Sequence, residues 1–298
     1  MSVRPPDPGV PPRPLGPRDP GDAWVVADTG EQYWGRFGAA GLLAHDPDRG
    51  VLLQQRVSWS HFGGTWGIPG GARHLGEAAT DAAIRESQEE AGVPDGVLAP
   101  VFTSVLDLGV WSYTTLIARV TTPFEPSITD PESTALAWVA VDEVDGLELH
   151  PGFAASWPAL RVALATRVTV IVDAANVVGS VPDGWWRDRP GAAERLLNRL
   201  DGARLGIEAA DLDLLGTTWF PRVVAVLEGA ARAAEPDLAG LDVVRADGAG
   251  DDALVAQAEK AIAAGERAVL VTSDRGLSDR ATAAGATVRP VSWLFDRI

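Results

Sequence analysis

The chain has 298 residues, 46% of them hydrophobic, which is long enough for two domains that each bury a core. A formal net charge of −16 argues against a surface that coats nucleic acid generally, although a local basic groove is compatible with it. There is no cysteine, so disulfides and zinc–thiolate sites are excluded and no oxidising compartment is required.

Residues 1–22 are dominated by Pro, Gly, Arg and Asp and hold no apolar stretch of signal-sequence type, so a flexible arm is expected there. No later run reaches eighteen consecutive apolar residues, which excludes a membrane span on length and makes a cytoplasmic protein the expectation. Strands are expected at 39–44 and 51–56. The following stretch, Trp59 to Gly70, is rich in aromatics. Trp59 or Trp66 could stack on a base; the alternative is that Trp66 is a core residue and Trp59 a partly exposed one. His61, His74 and His150 have no partner at metal-site spacing, and His61 is a candidate phosphate contact.

Next comes Gly71-Ala72-Arg73-His74-Leu75-Gly76-Glu77, then seven residues, then Arg85-Glu86-Ser87-Gln88-Glu89-Glu90-Ala91-Gly92-Val93. If 77–91 is helical, Glu86, Glu89 and Glu90 stand at i, i+3 and i+4, so three carboxylates leave one face within a turn. Like charges that close repel unless a cation lies between them, and oxygen-only donors suit Mg²⁺ or Mn²⁺ bridging to phosphates. The competing account is a solvated, salt-bridged helix face. Strands are then expected near 97–106, 110–120 and 136–141, a short helix from Asp142, and an amphipathic helix over 153–166.

This run resembles the signature of the Nudix hydrolases, and the similarity extends over about residues 30–158. The resemblance implies an α/β/α sandwich with a mixed sheet, assigned here to 23–166. It also implies Mg²⁺- or Mn²⁺-dependent cleavage of a nucleoside diphosphate linked to another moiety, a MutT-like nucleotide substrate, by metal-activated water. Carried over by position, Glu86, Glu89 and Glu90 would be metal ligands or base, Gly71 would lend its carbonyl, and Glu77 would hold Arg85. Ser87 departs from the pattern, standing where the family has an apolar residue; because that position faces the core, the change should cost packing rather than chemistry. Glu132, in the loop before the strand holding Trp138, matches a loop from which some relatives supply an acid that assists metal or base.

From Arg167 the pattern changes. The apolar run from Thr169 to Val172 ends in Asp173, and further strands end near Glu228, near Gly250-Asp251-Asp252 and at Ser273-Asp274. Helices between them, expected at 252–264 and 277–284, make the sheet parallel and put the acids at its carboxyl edge, where open sheets bind ligands. These pieces, with Asn176, resemble the PIN-like nucleases of the NYN branch over 167–298. That resemblance implies a Rossmann-like fold and a metal-dependent ribonuclease in which Asp173, Asp251 and Asp274 hold the metal, supported by Asn176, Asp252 and Glu228. Asp251 or Asp274 could equally be helix caps. Arg187, Arg189, Arg195 and Arg199 near Trp185-Trp186 could form a ridge for single-stranded RNA, or a solvated face beside core tryptophans.

The sequence therefore points to a Nudix pyrophosphohydrolase joined to a PIN-like ribonuclease, with a nucleotide substrate, single-stranded RNA as a second partner and no membrane. The alternative is a nucleotide-sensing regulator in which the first domain binds without turnover and controls the second. The leaving group is not encoded in spacing. Oligomeric state stays open, a homodimer included.

Overall fold

The computed structural model describes residues 1–4, 19–203 and 205–298, which divide into two compact units, 1–164 with 213–218 and 165–212 with 219–298. The segment 213–218, which sequence placed with the second half, belongs to the first unit. Most of the expected arm, 5–18, lies outside the described residues. Ser2–Arg4 is not arm-like: it is a strand, β1, paired antiparallel to β2 (Trp24–Val26), which pairs in turn with β3 (Gln32–Trp34). This small sheet was not foreseen, because three-residue strands carry too little alternation to register.

The main sheet of the first unit contains β4 (Ala39–Asp46), β5 (Gly50–Arg56), β8 (Leu98–Asp107), β9 (Ser112–Val120) and β10 (Ser133–Val139), in the order β10-β5-β4-β9-β8. It is mixed: β4 and β9 run parallel and the other neighbours antiparallel. Central β4 is buried along nearly all its length, as its apolar run requires. Two short strands, β6 (Trp66–Gly67) and β7 (Gly70–Ala72), pair with β5 and β4 respectively.

Helix α1 spans Ala79–Ala91, so Glu77 precedes it; the expected helical start at 77 is corrected by two residues. Its end is fixed by Gly92 at φ 62°, whose N–H donates to the Gln88 carbonyl while Val93 N donates to Ser87 O, a left-handed cap that glycine reaches without strain. The buried face is Ala82, Ala83, Glu86, Ser87, Glu90 and Ala91, four small residues and two glutamates. Small side chains let the helix lie close to the sheet, and that closeness buries the carboxylates. Ser87 is fully buried as expected, and its hydroxyl is satisfied by donating to Ile84 O at 2.7 Å. Helix α2 (Pro151–Ala163) ends the continuous part of the unit.

The second unit is built on a five-stranded, all-parallel sheet. The chain order from Val168 is β11 (Val168–Asp173), α3 (Ala174–Gly179), α4 (Arg189–Gly202), the short β12 (Ile207–Glu208), α5 (Ala209–Leu212) and β13 (Thr218–Trp219), then β14 (Arg222–Leu227), β15 (Asp242–Arg245), α6 (Gly250–Ala263), β16 (Arg267–Val271), α7 (Arg275–Ala283), β17 (Thr287–Arg289) and α8 (Val291–Phe295); β12 and β13 lie outside the parallel sheet, and β13 starts at the last residue of the segment that belongs to the first unit. The sheet order is β15-β14-β11-β16-β17. The chain starts in the middle, winds one way and then the other, so the order reverses between β11 and β16. In such sheets the connections diverge at that point and leave a crevice at the carboxyl ends. Leu254, Ala258 and Ala261 of α6 and Leu277 and Ala281 of α7 pack on Ile171, Val226 and Leu270 to form the core of this unit. Among the described residues no helix is long and apolar enough to cross a membrane.

Candidate functional site

In the first unit, Gly70 and Gly71 of β7 lie between β4 and α1. A Cβ on Gly70 would stand 2.5 Å from the Ala40 carbonyl, and one on Gly71 would stand 2.5 Å from Glu86 Oε2. Only glycine permits this approach. It lets Gly70 N donate to Glu90 Oε2 at 2.9 Å. Arg85 gathers the surroundings: Nε and Nη2 donate to the two oxygens of Glu77 at 2.8 and 3.0 Å, and Nη2 also reaches Ala72 O. Its Nη1 donates to Glu86 Oε1 at 2.9 Å and Glu89 Oε2 at 3.2 Å. This forked, bidentate geometry is one that lysine could not supply.

The electrostatics follow from burial. Glu86 and Glu90 are 3% and 6% exposed, whereas Glu89 lies on the solvent side. Burial, followed by the Glu86 charge and more weakly that of Glu132, pushes the Glu90 carboxyl up to about 8, against opposing pulls from Gly70 N and Arg56. Burial also raises Glu77, but the Arg85 and His74 contacts outweigh it and hold the acid below its ordinary value. For Arg85 burial lowers the guanidinium, and the Glu77 and Glu86 contacts more than reverse this. The outcome is one buried carboxyl with surplus negative charge around it and, among the described residues, no hydrogen-bonding cation of its own. Among the described residues no three acidic or histidine side chains converge at metal-ligand spacing. A divalent cation nevertheless fits the donor set, because the donors are all oxygen and Glu90 carries an uncompensated penalty that a positive ion would relieve.

The other predicted residues are dispersed. Glu132 is near enough to raise Glu90. Trp66 is half-buried in β6, its backbone N–H donating to Glu148 O, whereas Trp59 is 49% exposed. His61 lies on the surface, 4.2 Å from the Phe62 ring and edge-on to Trp24. His74 N donates to Glu77 Oε2, and His150 Nδ1 accepts from Gly152 N at the start of α2. Sequence reasoning missed Arg56, at the end of β5, and Tyr113 of β9. A Cβ on Gly41 would lie 2.2 Å from the Tyr113 hydroxyl and one on Gly70 3.0 Å from it, so the glycines clear room for that phenol. Burial first, then the Glu90 charge, raises its pKa. A glycine in the middle of an otherwise apolar strand was the available signal.

In the second unit, Asp173, Asn176, Glu228, Asp251 and Asp274 line one cavity of about 530 Å³. Each arrives from a different place: Asp173 ends β11, Glu228 follows β14, Asp251 opens α6 and Asp274 caps α7. Asp173 is 7% exposed, accepting from Asn176 N at 3.0 Å and from the Thr272 hydroxyl at 2.8 Å. Burial raises its pKa against those two bonds, and the Glu228 and Asp251 charges add to the rise. Glu228 Oε2 accepts from Gly250 N at 2.9 Å, at the positive end of α6. Asp274 accepts from Leu277 N, so it does serve as a cap, and it faces the cavity as well. Asp252 is not brought in: it pairs with Arg280 at 2.6 Å and lies outside the cavity lining. Thr272, which orients Asp173, was not foreseen.

The arginines anticipated as a ridge make separate contacts. Arg195 stands 3.9 Å from Asp183, and Arg199 donates to Ile298 O and lies over the Phe295 ring. Arg189, by contrast, lies over Trp185 at 5.5 Å.

The family model for the NUDIX domain matches residues 35–161. A Mycobacterium tuberculosis protein named "Putative 8-oxo-dGTP diphosphatase 3" is 50% identical over 159 residues, which is half of this chain and 73% of that protein. A Bifidobacterium longum nucleoside triphosphate pyrophosphatase/Nudix hydrolase fusion protein is 39% identical over 153 residues, 49% of this chain and 32% of the fusion. The crystal structure of a Nudix hydrolase from M. smegmatis, RenU, is 46% identical, covering 49% of this chain and 96% of that one with a TM-score of 0.45.

Proposed function

Because this chain belongs to the Nudix hydrolase family, we propose that its first unit is a Mg²⁺- or Mn²⁺-dependent pyrophosphohydrolase of MutT-like character, hydrolysing the phosphoanhydride bond within a nucleoside diphosphate linked to another moiety, so that a nucleoside monophosphate is released. The observation that carries the reading is the pair of buried glutamates against the Gly70–Gly71 backbone, with Glu90 driven toward neutrality by its surroundings. Glu86, Glu89 and Glu90, with the Gly71 carbonyl, would hold the cation. When bound, the cation lowers the pKa of water and neutralises charge on the phosphates. The chain's own residues do the rest. Arg85, fixed by Glu77, orients Glu86 and Glu89; Gly70 N fixes one oxygen of Glu90; and Glu90, once a bound cation has displaced its proton, would be placed to accept a proton from the attacking water. Glu132 adds negative charge beside it. Trp59, Trp66 and His61 would supply rings and a donor for a base or phosphate. The mycobacterial relative's name makes an oxidised purine nucleoside triphosphate the first substrate to try.

For the second unit we propose a metal-dependent, PIN-like nuclease acting on single-stranded RNA. The acids that line one cavity at the reversal of strand order, with Asp173 held by Thr272, support it.

The test is product formation from nucleoside triphosphates, dinucleotides, ADP-ribose and short 5′-triphosphorylated RNA, comparing wild type, Glu90→Gln and Asp173→Asn. Nucleoside monophosphate release lost only in Glu90→Gln and strand cleavage lost only in Asp173→Asn are the expected results. Binding of a nucleotide without any turnover would replace both readings by that of a nucleotide-sensing regulator.

A further inference from the structure

A second, smaller cavity of about 160 Å³ adjoins the acid-lined one and shares Ala175, Trp185 and Glu228 with it. Its remaining wall includes Val178, Ala193 and Arg189. Trp185 is therefore a partition: one indole borders both spaces. The residue is placed by a short turn that begins at Gly184, which sits at φ 86°, and the Trp185 backbone N–H donates to Asp183 Oδ1 at 3.0 Å. Gly179 faces the indole, where an added Cβ would come within 3.8 Å of the ring.

The chemistry of this small space is specific. It offers one aromatic surface, a floor of small apolar side chains and one guanidinium, beside a cavity whose acids are suited to a cation and hence to phosphate. Its volume of about 160 Å³ is well below the roughly 300 Å³ at which drug-sized ligand sites begin, which limits any occupant to about the size of a single ring system. A ring accompanied by phosphate is a nucleotide. Arg189 is the arginine that lines this cavity; Arg195, 3.9 Å from Asp183, and Arg199, bound to the Ile298 carbonyl, do not line it. With a chain charge of −16, diffuse attraction to a polyanion is weak, so stacking must carry much of the affinity.

We propose that the cavity walled by Trp185 and Arg189 is a nucleobase subsite, accepting one unpaired base of a polynucleotide strand whose backbone crosses the acid-lined cavity. The proposal rests on the nuclease reading of the second unit and adds to it the means of selection. A base held in a duplex cannot enter so small a space without leaving its stack, so the subsite favours single strands.

The experiment uses the full chain carrying Asp173→Asn to block cleavage, a labelled single-stranded oligoribonucleotide with Mg²⁺, and fluorescence anisotropy. Adding Trp185→Leu should weaken binding about 5- to 150-fold, the span expected for one stacked base, while Trp185→Phe keeps a ring and should stay within a few-fold of the parent. The matching duplex should bind at least tenfold more weakly. Equal affinity of the Leu variant and the parent, equal binding of duplex, or no binding of the strand at all would each overturn the subsite. Competition by a mononucleotide as effective as that of the unlabelled strand would overturn the strand in favour of a free nucleotide. The two readings separate cleanly. Trp185-dependent binding with no cleavage by the chain that retains Asp173 would remove the nuclease and leave the subsite. Cleavage abolished by Asp173→Asn but indifferent to Trp185 would do the reverse.

Discussion

Replacing Glu90 by Gln removes an ionisable group from a buried position while keeping an oxygen that can accept from Gly70 N. Burial and the Glu86 charge move this carboxyl from 4.5 up to about 8. Below pH 4.5 the folded and unfolded chains both carry the proton, so the group costs nothing. As pH rises from 4.5 toward 8, the unfolded chain releases the proton and the folded chain keeps it, and stability falls throughout that window. At pH 7 the difference is about 2.5 units, or on the order of 3 kcal/mol. Gln has no proton to retain, so the variant should recover that amount, about 5–10 °C in the unfolding midpoint for a unit of this size. Calorimetry in the presence of a chelator is the assay: the two proteins should melt alike at pH 4.5 and separate at pH 7.5, the variant higher. Mg²⁺ should then stabilise the wild type far more than the variant, because only the former gains relief from the ion. The same variant should lose nucleotide hydrolysis. Coincident midpoints at pH 7.5 in chelator would refute the electrostatic account, and hydrolysis at the wild-type rate would remove Glu90 from the site.

Three further outcomes are expected. His150, pushed down to about 4 by burial and then by the Arg56 and His61 charges, uses its neutral Nδ1 to cap α2, so stability present above pH 6.5 is lost as pH falls toward 4; His150→Asn, which can still cap, should flatten urea midpoints measured from pH 7 to 5, and an unchanged slope would count against it. Ser87→Ala should leave hydrolysis unchanged and stabilise by about 0.5 kcal/mol through helix propensity and loss of a buried hydroxyl; a destabilisation above about 1 kcal/mol in urea melts would mean that the bond to Ile84 O dominates. Gly250→Ala would set a Cβ 2.3 Å from Glu228 Oε2, so it should displace that carboxylate, cost about 1–3 kcal/mol and depress strand cleavage while nucleotide hydrolysis persists; equal loss of both activities would contradict the separation of the two sites.

What the sequence determined by itself is what periodicity and spacing encode. The central strands β4, β5, β11 and β16, helix α1 and the parallel course of the second sheet were all legible, because long apolar runs and carboxylates at i, i+3 and i+4 are local patterns. So was the core-facing position of Ser87. Boundaries were less so: α1 starts after Glu77 rather than at it, since no side chain caps its first turn. Tertiary structure alone decided which carboxylate loses its solvent. Glu86, Glu89 and Glu90 are equivalent as letters, but the approach of β7 buries the first and third and leaves the second outside. It also decided that Tyr113 and Arg56 face Glu90, that Asp252 turns away to Arg280 while Asp251 lines the cavity, and that Trp185 partitions two spaces. The physical reason is common to all of these. Burial, pKa and cavity shape depend on which backbone segments pack against a side chain, and those segments come from distant parts of the chain whose meeting no local pattern records.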